Sequence, residues 1–440
     1  MTYVCEWAWL PGGAAAGVVI EVVDGRITRV EPGGAVPAGA HRLSGLVLPG
    51  LASAHSHAFH RALRGRTHAA GTFWTWRDQM YEVAERLDPE TYHALARATF
   101  AEAVLAGCTS IGEFHYLHHQ ADGMPYADAN QIGHALIQAA RDAGARLTLL
   151  DTCYLTGGID HPLTGVQRRF SDFDAHCWED RVDGLASAYA DASDVVIGAA
   201  IHSVRAVPPD QMRVVAAWAA SSRAPLHAHV SEQPAENTAC LEAYGVTPTA
   251  LLADVGALGS STTAVHATHV TDADVDLLGQ TRTHVCLCPT TERDLADGIG
   301  PARRLWDAGA PLTLGSDSHA VTDLFEEARA VELNLRLDTG QRGHLTPAEL
   351  LEALTVTGHA SLGFPDAGTL ATGQRADLVA VRMDSVRTAG TPPDAAVVFA
   401  ASAADVTDVV IDGRHRVREG RHELGDVARL QAEAIAAVVA

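Results

Sequence analysis

The sequence predicts an α/β protein, a (β/α)8 TIM-like barrel with a small composite β domain formed by both chain ends. Three observations predict it. Eight short apolar runs alternate with helical patterns through the middle of the chain, both ends read as short strands joined by tight turns, and histidines and acids gather where the apolar runs end. A chain of 440 residues has room for one large and one smaller domain.

Taken in order, residues 18–23 and 27–30 are strand-like around an Asp24-Gly25 turn, and residues 46–48 follow. The same style returns at 377–381 and 406–411, then an Asp412-Gly413 turn and 414–418. Residues 1–50 and 366–440 therefore form the expected composite domain, closed by a helix over 427–440. The barrel is expected over 51–365, beginning with an apolar run already under way at 46–54. Further runs lie at 108–114, 146–154, 195–202, 225–230, 264–270, 284–289 and 311–316. Helical spacing fills 89–106, 127–143, 208–221, 272–278 and 301–308. Eight strands separated by helices make parallel βαβ units, and eight close a barrel.

Composition removes several function classes. At 47% hydrophobic and 20% charged the chain is an ordinary globular one. A net charge of −22 speaks against nucleic acid or an anionic membrane as partner, and an anionic substrate would need local arginines to overcome that field. No run reaches the ~20 apolar residues of a membrane span. The first ten residues carry Glu6 and no basic residue, unlike an export signal, so a cytoplasmic location is expected. The seven cysteines are expected to be reduced; Cys286-Leu287-Cys288 reads as alternation on a buried strand, because no second pair completes a metal site. All 32 basic residues are arginine. Without lysine, Schiff-base chemistry, a P-loop and a lysine-derived metal bridge are unavailable.

The chemistry gathers at run ends. His55 and His57 are two apart, so on a strand both imidazoles project to one side. His227, His229 and Glu232 follow the fifth run, His266 and His269 the sixth, Asp317 and His319 the eighth. At the C-terminal mouth of a barrel these ends converge. Three histidines and a carboxylate suit Zn²⁺ or another first-row ion with one position left open for water.

The segments Pro49-Gly50-Leu51-Ala52-Ser53-Ala54-His55-Ser56-His57, His229-Val230-Ser231-Glu232, His266, Ser316-Asp317 and Gly373-Gln374-Arg375-Ala376-Asp377-Leu378-Val379 resemble the amidohydrolase superfamily in its deaminase branch. The resemblance spans nearly the whole chain and implies a one-metal site held by His55, His57, His229 and Asp317. It implies that Asp317 accepts a proton from the attacking water, that His266 polarises or orients that water, and that Glu232 protonates a substrate nitrogen. It puts the sixth-strand role on His266 rather than His269, and leaves His227 and His319 as supporting residues.

Within that superfamily, four segments are similar to the formimidoylglutamate deiminase family. They are His55-Ser56-His57-Ala58-Phe59, Phe73-Trp74-Thr75-Trp76-Arg77, Glu113-Phe114-His115-Tyr116-Leu117-His118-His119 and His202-Ser203-Val204-Arg205-Ala206-Val207. The match implies that Arg77, Tyr116, His202 and Arg205 bind a small dicarboxylate, which also suits arginine's bidentate grip on carboxylates. One departure is His60, which stands where that family has glutamine; it is expected to contact substrate. A homodimer is compatible with this reading. A deaminase of guanine, another purine or an amidine is the alternative, with Phe73, Trp74 and Trp76 as stacking surfaces. A non-catalytic metal holder is a third reading, against which Glu232 and His266 speak. Connections 64–77 and 156–174 are long enough to close over a site.

Overall fold

The computed structural model of the protein describes residues 1–68 and 71–439. Residues 69 and 70 of the 64–77 connection, and the last residue of the predicted terminal helix, lie outside the described residues. The chain opens with β1 (Thr2–Leu10), β2 (Gly13–Val23), β3 (Arg26–Pro32) and β4 (His41–Pro49). Next come β5 (Leu51–Ser56), β6 (Cys108–His115), β7 (Arg146–Cys153), β8 (Val195–Ser203), β9 (Leu226–Val230), β10 (Thr262–His266), β11 (His284–Leu287) and β12 (Leu312–Leu314). It ends with β13 (Leu378–Val381), β14 (Val406–Ile411), β15 (Arg414–Arg418), β16 (Arg421–His422) and the helix Val427–Val439.

Strands β5 to β12 pair in chain order in one parallel sheet, each neighbour reached through a helical crossover. The sheet closes on itself where the chain continues past β12. The His57 N–H donates to the Asp317 carbonyl at 3.1 Å, and the Asp317 N–H to the His55 carbonyl at 3.0 Å. Gly315 permits that closure: a Cβ there would stand 2.7 Å from the His55 carbonyl oxygen and 2.9 Å from its amide nitrogen. This is the predicted (β/α)8 barrel.

The other strands form a second sheet in the order β16-β15-β14-β13-β4-β1-β2-β3, so both chain ends contribute, as expected. Leu378 of β13 lies opposite Pro49 of β4 and joins the two halves. Both Asp-Gly turns have positive φ at each residue (47° and 76° at Asp24-Gly25, 47° and 75° at Asp412-Gly413), the backbone a two-residue hairpin with native twist requires.

The run 46–54 is two strands rather than one. It breaks at Gly50, which is packed so tightly against Thr109 and Asp377 that a side chain has no room. β1 was not anticipated: its nine residues carry no turn signal and alternate imperfectly in burial. The helices Leu324–Thr339 and Pro347–Leu354, beyond β12, were also not anticipated. A continuous apolar cluster runs from the barrel interior into the surrounding helices. No helix among the described residues is long and apolar enough to cross a membrane.

Candidate metal centre and substrate chamber

The mouth of the barrel is where the strands stop and the backbone turns sharply. Ser231, His266, Ala267, Asp317 and His319 all have φ between 40° and 69°, a conformation non-glycine residues seldom adopt. Each follows or ends β9, β10 or β12, and the turn swings the next side chains inward. His55 lies within β5 and His57 one residue past it; His229 lies in β9, His266 ends β10 and Asp317 follows β12.

These side chains meet. The Nε2 atoms of His55 and His57 lie 3.4 and 3.5 Å from Asp317 Oδ1. The Nε2 atoms of His55 and His229 are 3.2 Å apart. Two of the rings have fixed tautomers: His57 Nδ1 donates to the Phe114 carbonyl at 2.9 Å and His229 Nδ1 to the His202 carbonyl at 2.8 Å. A carbonyl only accepts, so the proton sits on Nδ1 and the Nε2 lone pair faces the cluster. Burial first, and neighbouring imidazoles second, push all three histidines well below the usual histidine range, which keeps them neutral donors. Donor atoms of His55, His57 and Asp317, and of His55, His229 and His266, lie within 4.8 Å of one another, the spacing an ion needs.

His266 has a different electrostatic setting. Its Nε2 faces Glu232 Oε1 at 3.6 Å and Asp317 Oδ2 at 3.8 Å, while Nδ1 faces Glu292 Oε1 at 3.4 Å. Burial alone would depress this imidazole, but Glu232, Glu292 and Asp317 outweigh it and hold it well above the ordinary range. Glu232 is pushed up by burial, against the opposing pull of His266 and Arg205. His269 is turned away and donates from Nε2 to the Asp297 carbonyl at 2.7 Å, so of the two sixth-strand histidines His266 is the one in the cluster. His227 points away too, toward the Ser361 carbonyl at 3.3 Å, and His319 is buried beside the mouth.

Above the cluster lies a chamber whose wall includes Glu232, Arg77, Arg205, Tyr116, His202 and His60. Arg77 belongs to the helix Phe73–Arg86 rather than to a strand end, because that helix rises directly from the connection after β5. Its guanidinium stacks 4.6 Å above Trp74, no carboxylate partners it among the described residues, and its Nε is buried without a hydrogen-bond partner. Arg205 follows β8; its Nε donates to Glu236 Oε2 at 2.7 Å, and Glu232 lies 3.7 Å from its Nη2. His60 Nε2 and the Tyr116 hydroxyl are 2.9 Å apart. Of the aromatic residues named as stacking surfaces, Phe73 and Trp76 line the chamber and Trp74 stands partly in solvent.

Three supporting carboxylates escaped the sequence reading. Glu236 holds Arg205 and also accepts the Ser231 N–H at 2.7 Å. Glu292 faces His266 and accepts the Cys288 N–H at 2.8 Å. Glu113 accepts the Ala58 N–H at 2.8 Å and the Ser56 hydroxyl at 2.7 Å, bracing the segment that carries His57. Their weak signal is position alone: Glu236 stands one helical turn after Glu232, and Glu113 sits inside an otherwise apolar run.

The amidohydrolase family model matches residues 46–416. Over 433 residues the chain is 37% identical to formimidoylglutamate deiminase of Pseudomonas aeruginosa, covering 95% of this chain and 94% of the relative. It is 32% identical to 8-oxoguanine deaminase of the same organism, covering 97% and 95%. Among solved structures, an amidohydrolase from Brucella melitensis superposes with a TM-score of 0.93 at 31% identity, covering 100% of both chains. Barrel, second sheet and motif order agree with that match over almost the full length, and the chain belongs to the amidohydrolase family.

Proposed function

We propose that the protein is a metal-dependent deiminase that hydrolyses N-formimino-L-glutamate to N-formyl-L-glutamate and ammonia. The observation that carries this reading is Arg77: a half-buried guanidinium without a carboxylate partner among the described residues, on the wall of a chamber that also holds Arg205, in a chain of net charge −22. An unpaired cation in such a place favours an anionic ligand. The 37% identical relative supports the same substrate.

The donor set fits one divalent ion, zinc first. Three neutral imidazoles with Nε2 atoms turned inward and one carboxylate, His55, His57, His229 and Asp317, would hold it. Bound there, such an ion brings the pKa of a coordinated water toward neutrality. The residues do the rest. Asp317 takes a proton from the attacking water. His266, kept cationic by the acids around it, steadies negative charge that develops beside it. Glu232, whose carboxyl burial pushes up, delivers a proton to the formimino nitrogen and takes one back from the added hydroxyl as the carbonyl forms. The proton held by Asp317 passes to the same nitrogen, which leaves as ammonia while the carbon keeps the oxygen as formyl. Arg77 and Arg205 grip the carboxylates, and Tyr116, His202 and His60 fix the orientation of the substrate between them.

A purine deaminase is the second reading, favoured by the 8-oxoguanine deaminase relative and by Phe73 and Trp76 on the chamber wall. A purine brings no carboxylate to the two arginines. Ammonia release from N-formimino-L-glutamate, guanine and 8-oxoguanine by zinc-loaded protein separates them. Release from the first alone is expected; release from a purine alone would replace the proposal.

A further inference from the structure

Gln167 stands outside the chamber, yet its amide touches two residues of the chamber wall. It is the third residue of the 3₁₀ turn Gly165–Phe170 and is 3% exposed. Its Oε1 accepts the Thr164 backbone N–H at 2.9 Å. A backbone amide can only donate, so the side-chain orientation is fixed: oxygen toward Thr164, NH₂ toward the chamber. That NH₂ donates to the Tyr81 hydroxyl and to the Tyr154 hydroxyl, each at 3.1 Å. Tyr81 comes from the helix Phe73–Arg86 and Tyr154 follows β7, and both line the chamber with Arg77 and Arg205.

The direction of these bonds has a chemical consequence. Each phenol oxygen is occupied as an acceptor, so its proton has to point elsewhere. No carboxylate or carbonyl of the protein accepts from either hydroxyl among the described residues. A hydroxyl that accepts from a fixed amide is also a better donor, because hydrogen bonds in a chain polarise one another.

We infer that Gln167 is a positioning residue: it orients the Tyr81 and Tyr154 hydroxyls as donors to a substrate carboxylate, completing the anion grip of Arg77 and Arg205. The inference rests on the dicarboxylate reading above and adds three residues that reading did not use. It makes the connection between β7 and β8 a determinant of affinity for the anion.

The test is steady-state kinetics of ammonia release from N-formimino-L-glutamate by zinc-loaded variants. Gln167→Glu keeps the shape and the bond from Thr164 but turns a donor into an acceptor, drawing the phenol protons away from substrate. KM is expected to rise at least tenfold with kcat within threefold of wild type. Tyr81→Phe should raise KM by a smaller factor. In a Tyr81→Phe, Tyr154→Phe background, Gln167→Leu should change KM no further, because the groups it acts through are gone. The penalty should vanish on a formimino monocarboxylate that lacks the carboxylate these hydroxyls meet. An unchanged KM in both Gln167→Glu and Tyr81→Phe would overturn the inference, as would an equal effect of Gln167→Leu with and without the tyrosine hydroxyls. Failure of wild-type protein to release ammonia from this substrate would count against the dicarboxylate reading itself, a separate outcome.

Discussion

Glu232 and His266 lie 3.6 Å apart at the mouth, and their roles separate by experiment. Glu232→Gln keeps size and hydrogen bonding but removes the transferable proton, so turnover should fall by about 10²- to 10⁴-fold. Metal content, read by atomic absorption, should stay at one equivalent; unchanged turnover would remove Glu232 from the mechanism. Arg77→Leu removes a charge-assisted contact of about 1.5–3 kcal/mol, so KM should rise roughly 10- to 150-fold with kcat little altered, checked by initial rates. At this scale the sequence is legible where chemistry repeats at short spacing. His55 and His57 are readable because a strand puts alternate residues on one side. Glu236, Glu292 and Gln167 are not, because each acts through another side chain that lies 13 to 86 residues away in the contacts that define its role. His269 also matched the pattern; only the backbone turn at His266, with φ of 69°, aims one histidine in and leaves the other out.

At the scale of elements, the site depends on how β5 meets the segment after β12. Gly315 lies flat against the His55 backbone, and Gly315→Ala would set a methyl 2.7 Å from the His55 carbonyl oxygen. Overpacking of this kind costs about 1–3 kcal/mol. The variant should unfold at lower urea and bind zinc more weakly than wild type, and an unchanged urea midpoint would contradict this account of the closure. Alternation of apolar runs and helical spacing was enough to expose the barrel, since a crossover must return each parallel strand to the same end. The break inside 46–54 was not legible: Gly50 looks like any glycine until Thr109 and Asp377 are seen packed on it. β1 escaped because its alternation between buried and exposed positions is imperfect.

Across the whole molecule, one buried arginine ties the barrel to the second sheet. Arg146, at the start of β7, pairs with Asp377 just before β13 and, at 3.1 Å, with Asp412 in the Asp-Gly turn. Arg146→Met leaves Asp377 buried without its counter-ion, and removing one partner of such a pair costs about 3–5 kcal/mol. The pH dependence has a definite sign. Burial raises the Asp377 carboxyl, but Arg146 outweighs it and holds the folded value below the ordinary one. The stability this pair contributes is therefore complete above about pH 4, the unfolded carboxylate value, and is lost as pH falls through the lower folded value. Urea midpoints at pH 7 and pH 3 should show a larger drop in wild type than in Arg146→Met. No pattern in the sequence marks this tie, because its partners lie 231 and 266 residues apart along the chain. The composite sheet it braces was legible, through matching Asp-Gly turns at both ends. The most direct test of the whole account is a zinc titration of metal-free protein, followed by ammonia and N-formyl-L-glutamate produced from N-formimino-L-glutamate. Activity should rise linearly and saturate at one zinc per chain, with the two products equimolar. No ammonia at any zinc level, or saturation only at two equivalents, would contradict it.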